Sequence, residues 1–257
     1  MSGLQRVEQV MGMAISFDVR EPLPSPEAID DAMEWLHHVD RTFSPYREDS
    51  EVSQFGRGEI AASDLSGEVA EVLSRCIELA TVTNGTFDAF ATPSPNGTHL
   101  DPSGYVKGWS IDRAARILER DGAKNFCINA GGDLVVIGEA SAGHDWRIGI
   151  RHPDESDKVA LVVEAHGPLA VATSATYERG AHIIDPRTGA PTTELASVTV
   201  VGPELGVTDA YATAIFVMGA AGLEWVEDHP DFSAYIISRD GSTHWSSRFP
   251  HPSNHAR

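Results

Sequence analysis

From Asn125 onward the chain is a succession of short apolar segments with little helical pattern between them, and this most constrains its fold. "NFCINAGGDLVVIGE" reads as two strands around a glycine turn, and "WRIGIRHP" and "VALVVEAHGPLAVATS" continue the sheet. "ASVTVVG" and "SAYIIS" add two strands, separated by a helix at 207–219 and a shorter one near 221–229. Helices and strands do not alternate strictly enough for a doubly wound sheet. The pattern implies an α+β domain with a mixed, largely antiparallel sheet and flanking helices.

The first half supplies most of the helix. Met11, Met13, Ile15, Phe17 and Val19 alternate with smaller or polar residues, the period of a strand with one buried face. "PSPEAIDDAMEWLHHVDRTF" places Ile29, Met33, Leu36 and Val39 at helical spacing, with Pro26 suited to the first turn. "SGEVAEVLSRCIELATVTNG" is a second amphipathic helix, closed by Asn84-Gly85. "TFDAFATPSPNGTHLDPSGYVKG" reads as a loop, and "WSIDRAARILERDGA" as a helix ended by Gly122. No linker or repeat interrupts the chain. One domain over 1–257 is expected, with a core from about 7 to 238 and a tail over about 240–257.

Charge narrows the partners. Lys and Arg number 19 against 38 Asp and Glu, so the net charge is −19 and the general field repels nucleic acid and anionic membranes. An anionic substrate would need local help from a metal, a lysine or backbone amides. Cys76 and Cys127 are too few for a disulfide framework or a zinc site, and are expected as buried free thiols. The N-terminal stretch lacks a signal-like segment and no run approaches membrane-spanning length, so the expected location is cytoplasmic, without membrane insertion.

The helix "VTDAYATAIFVMG" poses a question of its own. Asp209 and Thr213 stand four residues apart, on one face of an otherwise small and apolar helix. Asp209 could answer the helix dipole and Thr213 could bond back to a carbonyl. A hard metal ion, which takes oxygen ligands, is the other reading. Elsewhere Asp88, Lys107, "NAGGD" and His182 each have a structural explanation as a cap, a surface charge, a turn and a core histidine. Together, a glycine-rich turn, a lysine at a helix entry, paired oxygens and a histidine suit metal-assisted chemistry on a pyrophosphate.

In order along the chain, "FSPYREDSEVS", "GTFDA", "LDPSGYVKGWSIDRA", "INAGGDLVVIG", "ATSATYERGAHIIDPRTG" and "TDAYATAIFVMG" follow Met11-Gly12. This series resembles the ApbE family of FAD:protein FMN transferases, from residue 11 to about 238. The resemblance implies FAD as substrate, magnesium as cofactor, and an acceptor protein whose Thr or Ser hydroxyl receives FMN. It implies Asp209, Thr213 and the Gly104 carbonyl as metal ligands. Met11, Tyr46, Thr86, Phe87, Asp88, Asp101, Lys107, His182 and Ile183 match flavin-contact positions. His182 is the candidate base for the acceptor hydroxyl, with Lys107 as a second positive charge and Asp185 as an orienting partner; the alternative is that His182 holds the flavin while an aspartate or water takes the proton. Gly56, Val106 and Ala175 depart from the family's usual residues. An FAD pyrophosphatase releasing FMN and AMP, and a flavin carrier without turnover, are the alternative functions.

Overall fold

A β-hairpin opens the chain. β1 (Leu4–Val10) and β2 (Met13–Val19) pair antiparallel from Leu4↔Val19 to Val10↔Met13. Expected from sequence as one strand beginning at Met11, the segment turns there instead. Met11 and Gly12 have φ of 55° and 73°, as a type I′ turn needs. β1 carries no apolar face to announce it, because it is an edge strand exposed along most of its length.

The computed structural model describes residues 3–21, 23, 27–94, 97–155, 157–165, 167–176 and 183–250. After the hairpin come α1 (Glu27–Phe43), α2 (Glu51–Gly56), α3 (Gly67–Val82), β3 (Thr92–Ser94) and β4 (Gly97–His99). The long α4 (Ser103–Arg120) leads into β5 (Phe126–Ala130), β6 (Asp133–Ile137), β7 (Trp146–Arg151), β8 (Val159–Ala165) and β9 (Leu169–Ala175). β10 (Leu195–Gly202), α5 (Leu205–Met218), α6 (Gly222–Glu227), β11 (Ser233–Ser238) and β12 (Thr243–Trp245) follow. The expected position of Pro26 at a helix start lies outside the described residues.

Eight strands form one sheet in the order β1-β2-β5-β6-β9-β10-β11-β12, and every described pairing is antiparallel. The class is therefore α+β, at the fully antiparallel end of the expectation. The hairpin of β7 and β8 does not continue this sheet, as the sequence suggested, but pairs only with itself. Its Trp146, Ile148, Ile150, Leu161 and Val163 lie against Val136, Val171, Val201, Tyr235 and Phe249 from one face of the sheet and the chain beyond it. The helices pack on the other face around Phe17, Leu36, Leu79, Ile111 and Phe216. β10 is buried at every position because both faces are covered there. β12 and buried Phe249 carry packing past residue 240, into the stretch read as a tail.

α4 begins six residues earlier than its apolar stripe suggests, so Gly104 and Lys107 are helical and not in a loop. The glycines that disguise this turn serve close approach. A Cβ on Gly108 would stand 2.4 Å from the Leu205 carbonyl oxygen, and one on Gly206 would stand 2.9 Å from the Tyr105 ring. α4 also caps α5, since Leu205 N and Gly206 N donate to the two Asp112 carboxylate oxygens at 2.9 and 3.0 Å. The helical run Leu205–Glu227 is long and apolar enough to cross a membrane by composition, contrary to expectation, with 72% of its apolar window buried in this fold. As for the thiols, Cys76 is buried and Cys127 half-buried, and both are free. Burial pushes each up to about 12, so neither is a ready nucleophile.

Asp112 supplies a test of the α4–α5 contact. Burial raises its carboxyl from 3.8 to about 6, against the pull of the two amides. A folded pKa above the unfolded value means stability present at low pH and lost as pH rises through about 6. The loss through this one group is about 3 kcal/mol between pH ~4 and ~7. Asp112→Asn should remove that component. Urea midpoints across this range check it: equal pH slopes for parent and variant would contradict the assignment.

Candidate active site

The β1–β2 turn, the segment after α1, the segment after α3, the start of α4 and the middle of α5 meet around a cavity of about 870 Å³. Each arrives there for a local reason. Asn84 and Gly85, with φ of 51° and 74°, end α3 and throw the chain across to Thr86. The buried Thr83 hydroxyl donates to Leu79 O at 2.7 Å and accepts from Phe87 N at 3.2 Å, pinning the next residues. Asp88 and Asp101 each accept from a backbone N–H two residues on, at 2.8 and 2.9 Å, and the Asp101 turn starts α4. Gly104 lies under the Phe87 ring, where a Cβ would come within 3.2 Å of a ring carbon.

Met11, Tyr46, Thr86, Phe87, Asp88, Asp101, Gly104, Lys107, Ile183, Asp209 and Thr213 all line this cavity, although the sequence separates them by up to two hundred residues. His182 lies outside the described residues; its chain neighbour Ile183 is on the cavity wall. Asp185 is not among the lining residues. Its Oδ1 accepts from Arg187 N and Nε at 2.9 Å and its Oδ2 from Nη2 at 2.8 Å, and these bonds hold its carboxyl below the usual range. An orienting bond to a histidine would have to share an oxygen with Arg187. Of the three departures, Val106 and Ala175 line the cavity and Gly56 does not.

Electrostatics are concentrated at Lys107. Its ammonium contacts Asp133 Oδ2 and stands 3.4 Å from Asp209 Oδ2. Both carboxylates are nearly inaccessible, with relative exposures of 2% for Asp133 and 5% for Asp209. Asp133 Oδ1 also accepts from Thr173 N at 2.8 Å. Two buried carboxylates thus share this one ammonium, in a place where water screens charge less than at the surface.

The donor set suits a hard cation. Asp209 and Thr213 carry a carboxylate and a hydroxyl one turn apart on α5, and Gly104 lines the same cavity from α4. Among the described residues no three His, Cys, Asp or Glu side chains gather as a metal site. Mixed oxygen donors of this kind fit magnesium, which keeps several ligands for water and phosphate, better than zinc. The sequence reading passes over Asp133, taking "NAGGD" as a turn. An acid heading the otherwise apolar strand "DLVVI" is the signal that could have found it. Thr173 and Ser174 were also unmarked, and the Ser174 hydroxyl lies 3.4 Å from that of Thr213.

Comparison with known proteins gives one family. The FAD:protein FMN transferase of Klebsiella pneumoniae (strain 342) is 32% identical over 152 residues, covering 55% of this chain and 43% of that protein. The one from Haemophilus influenzae is 26% identical over 263 residues, covering 79% and 76%. Among solved structures, the flavin transferase ApbE from Vibrio cholerae matches with a TM-score of 0.81 and 24% identity, over 96% of this chain and 98% of that one. The ApbE protein of Thermotoga maritima matches with 0.82 and 24%, over 95% and 97%. At these identities the structural likeness establishes the fold. The sequence model of the ApbE family matches residues 11–95 and 91–236, nearly the whole cavity-forming chain, and the protein belongs to the ApbE family.

Proposed function

We propose that this protein is a magnesium-dependent FAD:protein FMN transferase. The observation that carries the reading is that Asp209, Thr213, Gly104 and Lys107 line one cavity together with the flavin-contact candidates among the described residues. Chemistry on a pyrophosphate needs both a positive charge and hard oxygen donors at one place. A flavin carrier has no use for either.

Asp209, Thr213 and the Gly104 carbonyl would hold magnesium. When bound there, the ion supplies charge neutralisation for the pyrophosphate oxygens. Lys107 adds a second positive charge on the same side. Met11, Thr86–Asp88, Asp101 and Ile183 hold the flavin nucleotide. The acceptor's Thr or Ser oxygen attacks the FMN-side phosphorus, and the P–O bond to the AMP phosphate breaks. The hydroxyl proton goes to a base, for which His182 is the candidate, and AMP leaves. Incubation with FAD, magnesium and Thr- or Ser-containing acceptor peptides tests this by mass spectrometry. An FMN–peptide adduct with equimolar AMP is expected. Free FMN and AMP with no adduct would make the protein a pyrophosphatase.

Tyr46 gives a separate test of the flavin end. It lines the cavity yet is 82% exposed, so the fold gains little from its ring. An isoalloxazine can stack on it, which is worth about 0.5–1.5 kcal/mol. Tyr46→Ala should weaken FAD binding about 3–10-fold with little change in melting temperature. Equal dissociation constants in a fluorescence titration would remove Tyr46 from the flavin site.

A further inference from the structure

The geometry points to Asp133 as the residue that draws Lys107 away from a closer pairing with Asp209, so that Asp209 can hold a cation. This deepens the proposed reading and rests on it. Asp133 heads β6 directly after the Gly131-Gly132 turn, and it does not itself line the cavity. It reaches Lys107 from behind. Its Oδ2 makes the closer contact to the ammonium, while Asp209 Oδ2 is at 3.4 Å, beyond a good charge-assisted hydrogen bond.

The position of Asp133 is held at its other oxygen. Oδ1 accepts from Thr173 N at 2.8 Å, and the Thr173 hydroxyl in turn lies 2.9 Å from that of Thr199 on β10. The carboxylate is thus tied to the centre of the sheet, and the lysine on α4 is drawn toward it. Without that hold, the ammonium has a buried carboxylate within reach on α5. A closed Lys107–Asp209 pair would oppose any divalent cation at Asp209, because the two positive charges compete for the same oxygen. Asp133 is therefore a positioning residue acting through Lys107.

The test is Mg2+ titration by calorimetry on the full chain without flavin, so that substrate phosphates contribute nothing. Asp133→Asn keeps an oxygen for Thr173 N and removes the charge. It should weaken Mg2+ binding about 10–100-fold, the usual cost of an outer-shell change. Lys107→Met should bind Mg2+ more tightly than the parent. In the double variant, affinity should return to within about threefold of Lys107→Met, since no ammonium remains to be misdirected. A merely structural role for Asp133 would weaken Mg2+ in both backgrounds, and that result overturns the proposal. So does parent-like affinity in Asp133→Asn. If Asp133→Asn does not fold, weaker binding in Lys107→Met is the overturning result. A parent that binds no Mg2+ would sink the magnesium reading itself, and this inference with it.

Discussion

Asp209→Ala is expected to abolish Mg2+ binding and to cut FAD cleavage by about 10³-fold or more, because a Lewis acid at phosphorus contributes several kcal/mol. The same change should leave the fold at least as stable as the parent. Asp209 is 5% exposed and sits on a helix buried along nearly all its length, where a carboxylate is costly. Lys107 would keep Asp133 as its closer partner after Asp209 is removed. Loss of activity therefore cannot be ascribed to unfolding. Calorimetric Mg2+ titration and thermal melting on one preparation check both halves. Full turnover at low magnesium would take α5 out of the catalytic site, and a large drop in melting temperature would mean that Asp209 serves the fold.

His182→Ala should separate transfer from hydrolysis. A Thr or Ser hydroxyl has a pKa far above neutrality and must lose its proton as it attacks phosphorus. A positioned imidazole does this near pH 7 and contributes about 10²–10⁴-fold. FMN transfer should fall within that range, while Mg2+ binding through Asp209, Thr213 and Gly104 persists. Hydrolysis to FMN and AMP should fall less, since water near a divalent ion is more acidic than an alcohol. The ratio of FMN–peptide adduct to free FMN reads the difference. A uniform loss of both products, together with weaker FAD binding, would assign His182 to flavin positioning, in keeping with the place of Ile183 on the cavity wall.

Much of this protein was legible in its residues. The helical spacing of Ile29, Met33, Leu36 and Val39 specified α1, and the apolar runs around Gly131-Gly132 specified β5 and β6. Asp209 and Thr213 share a helix face in any α-helix, so their pairing needed no tertiary information. Ordered motifs named the family and most cavity-lining residues. The failures share a cause. β1 and β12 are edge strands with weak apolar patterns, and α4 begins in a glycine-rich stretch whose small residues serve contact with α5. Local pattern reports a residue's own preferences. It does not report what another element, distant in sequence, requires of that residue.

Tertiary structure alone decided three things. It set β7 and β8 across the sheet as a second layer, a choice made by the Trp146, Val163 and Phe249 core and invisible to strand periodicity. It put the Asp112 carboxylate at the start of α5, ninety-odd residues away, fixing where Asp209 stands. It also brought Asp133, read as part of a turn, against Lys107 beside Asp209. Spacing paired Asp209 with Thr213, and the resemblance to the ApbE family supplied the other groups expected in the site. How those charges share one ammonium depends on distances of a few ångströms between α4, α5 and β6, and in a buried place such distances set the energy.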